Sequence, residues 1–315
     1  RFCFQACCLK KFTIIKVVNK KLFSLICALS CSFIWGTAFI AQDMGMDFIG
    51  PYTFTSGRMF LGFLTLLPFF FFFEFKKIRK SNFLINKILV YILFLGLMLA
   101  GGNIFQQMSL LYTDVANSAI FTIFYVIIVP IISYFLFSKS IHWSIWPAVV
   151  MCLVGGLLLS ELDNLSVRLG DSLVIVGAFF WAFHIVFISK LLKLFNFPLT
   201  IATFQCLFGA LFCLIPSLTF ESITFANLLM ESKELFYAGV LSSGVAFLLQ
   251  VYSQQNLPPA PVAIIFSLEG VFAAIFGWII LDQYLSDLKV LGIIIILLAV
   301  ISSQLVPIYG KKKHG

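Results

Sequence analysis

PYTFTSGRMFLG, residues 51–62, returns 147 positions later as PLTIATFQCLFG, residues 198–209. Pro51, Thr53 and Gly62 recur as Pro198, Thr200 and Gly209, and Arg58 recurs as the polar Gln205. The correspondence extends in both directions with small slips of register. Trp35 pairs with Trp181 at a spacing of 146; Gly96, Gly101 and Gln107 pair with Gly239, Gly244 and Gln250 at 143; Ala116 and Ala119 pair with Ala260 and Ala263 at 144. Agreement within each segment, with slips only at the joints, is what a duplicated structural unit leaves in a sequence.

Composition says what the unit is made of. Of 315 residues, 61% are hydrophobic and only 11% charged, and the mean hydropathy is +1.07. A soluble domain of this size cannot hide so much apolar surface. A bilayer core needs about 20 apolar residues per helix, and the sequence offers such runs near 22–42, 51–73, 88–112, 115–137, 143–160, 171–189, 198–219, 235–256, 259–281 and 288–308. The expectation is an all-α membrane protein of ten transmembrane helices, five in each repeat (22–160 and 161–308), between an N-terminal segment 1–21 and a basic tail 309–315. Five is odd, so the two copies lie inverted in the membrane. Little chain remains outside the bilayer, which leaves no room for a soluble catalytic, nucleotide-binding or DNA-reading domain.

The formal charge of +8 is distributed by topology. Of the 21 Lys and Arg, 17 fall on the face that carries the N-terminus, three (Arg168, Lys233, Lys289) on the other, and Arg58 within a span. Eleven of the 13 acidic residues lie on the opposite face, leaving Glu74 on the lysine-rich side and Glu269 within a span. The positive-inside rule then places both termini in the cytoplasm of a cell with this chain in its plasma membrane. The basic charge is topology, so no nucleic-acid partner is expected; the partners are the lipid bilayer and a small molecule. The Lys-rich start followed by a full apolar span reads as a signal anchor rather than a cleaved leader.

Eight cysteines give no framework. Cys3, Cys7 and Cys8 precede the first span, and Cys27, Cys31, Cys152, Cys206 and Cys213 lie within spans as small apolar residues. No His pair has metal-ligand spacing, no G-x-x-x-x-G-K-[ST] loop is present, and no cofactor is expected. The paired glycines are read as close helix contacts and are not dimer motifs, which leaves a homodimer open.

Ile34-Trp35-Gly36-Thr37-Ala38-Phe39 in the first span resembles the opening "WG" motif of EamA-type members of the drug/metabolite transporter superfamily. Arg58 in span two, Gln107 and Tyr112-Thr113-Asp114-Val115-Ala116 closing span three, and Pro130 in span four follow the same pattern. Ser267-Leu268-Glu269-Gly270-Val271-Phe272-Ala273-Ala274-Ile275-Phe276-Gly277-Trp278 resembles the family's "LEPVFAxxxGW", with Gly270 in place of the usual Pro and Asp282 where a Glu usually ends span nine. The likeness covers about residues 22–306. It implies a two-repeat carrier with a central cavity and cytoplasmic termini, moving metabolites such as amino acids outward without ATP.

Three ionisable groups other than tyrosine lie deep in spans. A charge at the bilayer centre is costly, so such residues are functional candidates by default. Glu269, ten residues into span nine, sits about 15 Å along the helix, near the midplane; it is either a proton-coupling carboxylate or a fixed partner that ties helices together. Arg58 lies near enough to the outer interface to snorkel, yet its mate Gln205 is also polar, which favours an inward face. It either meets a substrate carboxylate or ties span two to a neighbour. His184 follows Trp181 by three, on a shared face; Trp35 and Trp181 are expected as flat walls of the cavity, with His184 a titratable contact or a hydrogen-bonded core residue. Tyr125 is the repeat position of Glu269, which sets a phenol opposite the carboxylate. Asn103, Gln107, Gln205, Gln250 and Gln254 add polar groups of the kind that also hold helices together. The turn Asn256-Leu257-Pro258-Pro259-Ala260-Pro261 opens span nine and is read as a rigid cytoplasmic turn. The expected function is a secondary exporter of small organic metabolites working by alternating access, with proton coupling through Glu269. A passive channel is the alternative, and an integral membrane enzyme the weaker one, since the spans hold no converging catalytic set.

Overall fold

A computed structural model describes residues 2–81, 85–113, 115–137, 141–160, 168–280, 282 and 284–310. Lys311 to Lys313 of the basic tail and Asp114 of the span-three motif fall outside them. The first repeat contains α1 (Phe2–Met44), α2 (Pro51–Phe73), the short α3 (Phe75–Arg79), α4 (Ile85–Ser109), α5 (Val115–Thr122), α6 (Tyr125–Phe137) and α7 (Ile145–Ser160). The second contains α8 (Leu169–Leu194), α9 (Pro198–Phe220), the short α10 (Phe225–Met230) and α11 (Ser232–Phe236), a π-helical stretch Tyr237–Ala246, α12 (Phe247–Gln254), α13 (Pro259–Phe266), α14 (Leu268–Ile280) and α15 (Asp287–Gly310). Among the described residues nine helical runs are long and apolar enough to cross a membrane, and Ile145–Ser160 is a tenth, shorter apolar helix. The chain is thus an all-α membrane protein of ten transmembrane helices in two inverted repeats.

Lipid-facing and core positions separate as this architecture requires. Phe72, Phe135 and Leu218 stand exposed on the outer wall, while Phe39, Phe54, Phe247 and Phe266 are buried between helices. Helix α8 runs five residues past the expected 189, and its two lysines there set their ammonium groups over aromatic rings: Lys193 Nζ is 3.8 Å from the Phe137 centroid and Lys190 Nζ 5.4 Å from that of Phe187. Cations in the last turn also suit the helix dipole.

The quoted repeat forms the central pair. Helices α2 and α9 pack along each other, each beginning at a proline, Pro51 or Pro198, whose missing N–H is an orphan donor in any helix. The acid that follows each helix caps the other. Glu74, just after α2, accepts from Leu199 N (3.2 Å), Thr200 N (2.8 Å) and Thr200 Oγ1 (2.6 Å) at the start of α9. Glu221, just after α9, accepts from Tyr52 N (2.9 Å), Thr53 N (2.7 Å) and Thr53 Oγ1 (2.6 Å) at the start of α2. Glu74 and Glu221 keep the spacing of 147. Charge sorting puts them on opposite faces, and there they are reciprocal caps, each placed against the positive end of a helix dipole.

Spans four and nine are not the continuous helices expected. The first breaks between Thr122 and Tyr125 and the second at Ser267, where Ile123 and Ser267 are 144 apart, the spacing of the repeat there. At the first break the backbone tightens to i→i−3 bonds, Ile123 N to Ile120 O (3.0 Å), Phe124 N to Phe121 O (3.2 Å) and Val126 N to Ile123 O (2.8 Å); at the second, Gly270 N bonds Ser267 O at 3.3 Å. Hydroxyls meet carbonyls beside the break, Ser267 Oγ to Ile264 O (2.7 Å) and Ser32 Oγ to Ile265 O (3.1 Å). An apolar membrane helix tolerates interruption only with such substitutes. The two breaks meet at Gly270, where a Cβ would lie 2.7 Å from Ile123 Cδ1. Span nine is therefore interrupted with Gly270 in place of the family's proline.

Candidate functional site

Tyr125 and Glu269 are the first-turn residues beyond these two breaks, and they bond each other: Tyr125 Oη donates to Glu269 Oε1 at 3.0 Å, both side chains buried. The phenol opposite the carboxylate, expected from the repeat alone, is present. Around this pair lies a central cavity. From α1 come Trp35, Phe39 and Gln42, from α2 Arg58, from α4 Asn103 and Gln106, from α5 Thr122, and from the second repeat Trp181, Ile185, Ser242, Phe247 and Gln250. The cavity volume is about 20 Å³, room for about one water molecule. This conformation is nearly closed at its centre.

Aromatic rings form one wall. Trp35 and Trp181, repeat mates, have ring centroids 6.1 Å apart, and Phe247 lies against both at 5.4 and 6.0 Å. Trp35 Nε1 donates to Ser242 O at 3.4 Å, a carbonyl of the π-helical stretch. That widened turn also receives Cys31 Sγ on Ala246 O and Cys206 Sγ on Ser243 O. Trp181 can lie flat on α4 because Gly102 has no Cβ; one there would sit 2.9 Å from the indole.

Polar groups form the rest. Arg58 is 1% exposed and does not snorkel. Its Nη2 donates to Asn103 Oδ1, and Asn103 Nδ2 donates in turn to Leu99 O at 2.7 Å, which fixes the amide's orientation. Among the described residues the guanidinium bonds no carboxylate. Its Nε, the indole Nε1 of Trp181, Gln42 Oε1 and both ends of the Gln250 amide are buried without a partner.

Seven of the ten candidates thus line one cavity: Glu269, Arg58, Trp35, Trp181, Tyr125, Gln250 and Asn103. Three do not. His184 is fully buried behind Trp181, where its Nε2 pairs with Gln205 Oε1 at 3.0 Å, so these two tie α8 to α9 rather than facing the cavity. Gln107 donates to Gln42 O at 2.7 Å and holds α4 to the end of α1. Its neighbour Gln106 takes the inward place instead and donates to Thr122 Oγ1 at 3.0 Å. Asn103 is three residues from Gln106 and four from Gln107, and helix rotation alone chose between them. Phe247, Gln42 and Ser242 carried no signal beyond belonging to apolar spans. Among the described residues no three His, Cys, Asp or Glu side chains gather as metal ligands.

Two inverted five-helix repeats, broken helices meeting beside a polar cavity, and that cavity lined from both repeats define a transporter architecture. The chain belongs to the EamA-like transporter family, whose profile matches residues 22–161 and again 168–303. An uncharacterized transporter of Archaeoglobus fulgidus is 30% identical over 86% of this chain and 82% of its own length. The uncharacterized transporter YoaV of Bacillus subtilis is 23% identical over 85% and 92%. A WAT1-related protein of Arabidopsis thaliana is 29% identical over 38% of this chain and 32% of its own. In fold, the chain matches a solved crystal structure with a TM-score of 0.74 at 14% identity, covering 90% of this chain and 96% of that one.

Proposed function

We propose that this transporter is a secondary carrier that exports small organic metabolites of the amino-acid type, by alternating access around the central cavity. The observation that carries the reading is the set of buried, unpartnered polar atoms on Arg58, Trp181, Gln42 and Gln250. A buried polar atom without a partner costs about 1–3 kcal/mol, so their gathering around one cavity is accounted for by a polar solute that pairs with them. Arg58, a charge supported by a neutral amide, is matched to a carboxylate. Trp35, Trp181 and Phe247 offer flat faces to an apolar part of the same solute.

Glu269 and Tyr125 supply the coupling in this reading. The carboxyl group takes a proton from one side and releases it to the other as the cavity changes access, and the phenol partners it in either state. The lysine distribution supports a cytoplasmic location for both termini in a plasma membrane. The test is counterflow in proteoliposomes preloaded with a mixture of amino acids and related metabolites, for the wild type and Glu269→Gln. Saturable, trans-stimulated exchange of one solute supports a carrier and names its substrate. Exchange preserved in Glu269→Gln with loss of proton-driven accumulation assigns coupling to Glu269; flux that neither saturates nor shows trans-stimulation refutes the carrier in favour of a channel.

A further inference from the structure

A second cavity, of about 660 Å³, opens at the lysine-rich end of the bundle. Ser133 of α6, Ser189 and Lys193 of α8, Gln254 of α12 and the proline turn at Pro258 to Pro261 line it. The proline turn, expected from its sequence to be a rigid connection, is thus a wall of the larger of the two cavities. The two cavities share three helices. On α12 Gln250 lines the central cavity and Gln254 the outer one; on α8 the pair is Ile185 and Ser189; on α6 it is Tyr125 and Ser133, with fully buried Val129 between them. On α12 and α8 the two linings lie four residues apart, about 6 Å or one turn, and on α6 eight residues apart, about 12 Å.

The contact that spans that turn is made by Gln254. Its Nε2 donates to Ile185 O at 2.6 Å and to Ser189 Oγ at 2.8 Å, joining α12 to α8. A carbonyl can only accept, so the amide orientation is set, and Gln254 Oε1 is left buried with no partner, as is Ser133 Oγ. We infer that this cavity is the mouth of the transport path on the lysine-rich face, that Gln254 is the latch between it and the central cavity, and that it admits small solutes presenting an N–H or O–H donor. The inference rests on the carrier reading. The free oxygen of Gln254 meets the donor first; an acceptor on the same solute then replaces Ile185 O and Ser189 Oγ, and the latch opens by exchange of like bonds.

Accessibility tests this without requiring transport. Single variants Ser133→Cys and Val129→Cys are exposed in sealed, oriented proteoliposomes to a charged, membrane-impermeant methanethiosulfonate, and adducts are counted by intact mass against the parent. Ser133→Cys is expected to gain one adduct from the lysine-rich face only, and Val129→Cys to react slowly. Adding Gln254→Ala speeds Val129→Cys by about tenfold, the opening expected when a pair of neutral hydrogen bonds is removed. Ser189→Ala, which removes one acceptor and leaves Gln254 in place, gives a smaller increase and serves if Gln254→Ala does not fold. Glycine slows labelling of Ser133→Cys, whereas its trimethylated analogue, which has no N–H donor, does not. Labelling of Ser133→Cys from the opposite face, equal Val129→Cys rates with and without the latch, or equal effects of the two solutes overturn the inference. The labelling pattern without counterflow removes the carrier reading and leaves the latch; counterflow without the pattern does the reverse.

Discussion

Replacing the two capping glutamates measures how firmly the α2–α9 pair is held. Each carboxylate accepts two backbone N–H groups and a threonine hydroxyl at a helix start. Glutamine keeps the shape but offers one acceptor oxygen and no charge. A helix cap is worth about 1 kcal/mol and a negative charge at a helix N-terminus about 0.3–1 kcal/mol. Glu74 is 7% exposed, so Glu74→Gln should cost about 2 kcal/mol with little relief from solvent. Glu221 is more open, and water replaces part of what is lost, so Glu221→Gln should cost about 1 kcal/mol. The helices between them have 23 residues, about 35 Å, which puts the two sites far beyond the range at which mutations couple. The double variant should therefore lose about 3 kcal/mol. Equilibrium unfolding by a denaturing detergent, titrated into protein held in mild-detergent micelles, reads all three. The reasoning fails if either single variant is neutral, or if the double variant departs from the sum by more than about 0.5 kcal/mol.

Arg58→Met should abolish counterflow while costing about 1–3 kcal/mol, for the buried Asn103 Oδ1 it leaves without a donor; a loss above about 3 kcal/mol would make Arg58 a structural tie instead. Tyr125→Phe and Glu269→Leu, measured singly and together, should show a coupling of about 0.5–3 kcal/mol in the same unfolding assay, and additive losses would contradict the 3.0 Å bond. Gly270→Pro should cost less than Ala274→Pro inside α14, which should cost about 3 kcal/mol, because the Gly270 N–H makes only a 3.3 Å bond at an existing break and a Cβ there meets only the movable end of Ile123; equal losses would mean that span nine is not interrupted at Ser267.

The residues that face the centre were legible in proportion to their repeat signal. Trp35, Trp181, Tyr125 and Glu269 were found because each sits at a repeat-related position where a bulky or polar side chain interrupts an apolar helix. Gln205, the mate of Arg58, satisfies the same pattern, yet it pairs with His184, because a polar group in a span signals only that it avoids lipid, and a neighbouring helix serves as well as a cavity. Gln106 and Gln107 show the limit most directly: both are polar and adjacent, and about 100° of helix rotation separates a cavity wall from an interhelical tie. Charge sorting places Glu74 and Glu221 only by face, since nothing local reveals that the end of one helix meets the start of another 147 residues away.

Hydropathy, charge sorting and the internal repeat determined the membrane class, the ten spans and their inversion, because the cost of unpaired backbone and of charge in hydrocarbon acts on each segment separately and so is written locally. The breaks before Tyr125 and Glu269, the π-helical stretch at Tyr237–Ala246, the reciprocal caps and the two cavities sharing α6, α8 and α12 were decided only by the tertiary structure. Each depends on which hydroxyl, carbonyl or ring a distant helix brings alongside, and inside a bilayer core those neighbours alone can satisfy a backbone that leaves the helix.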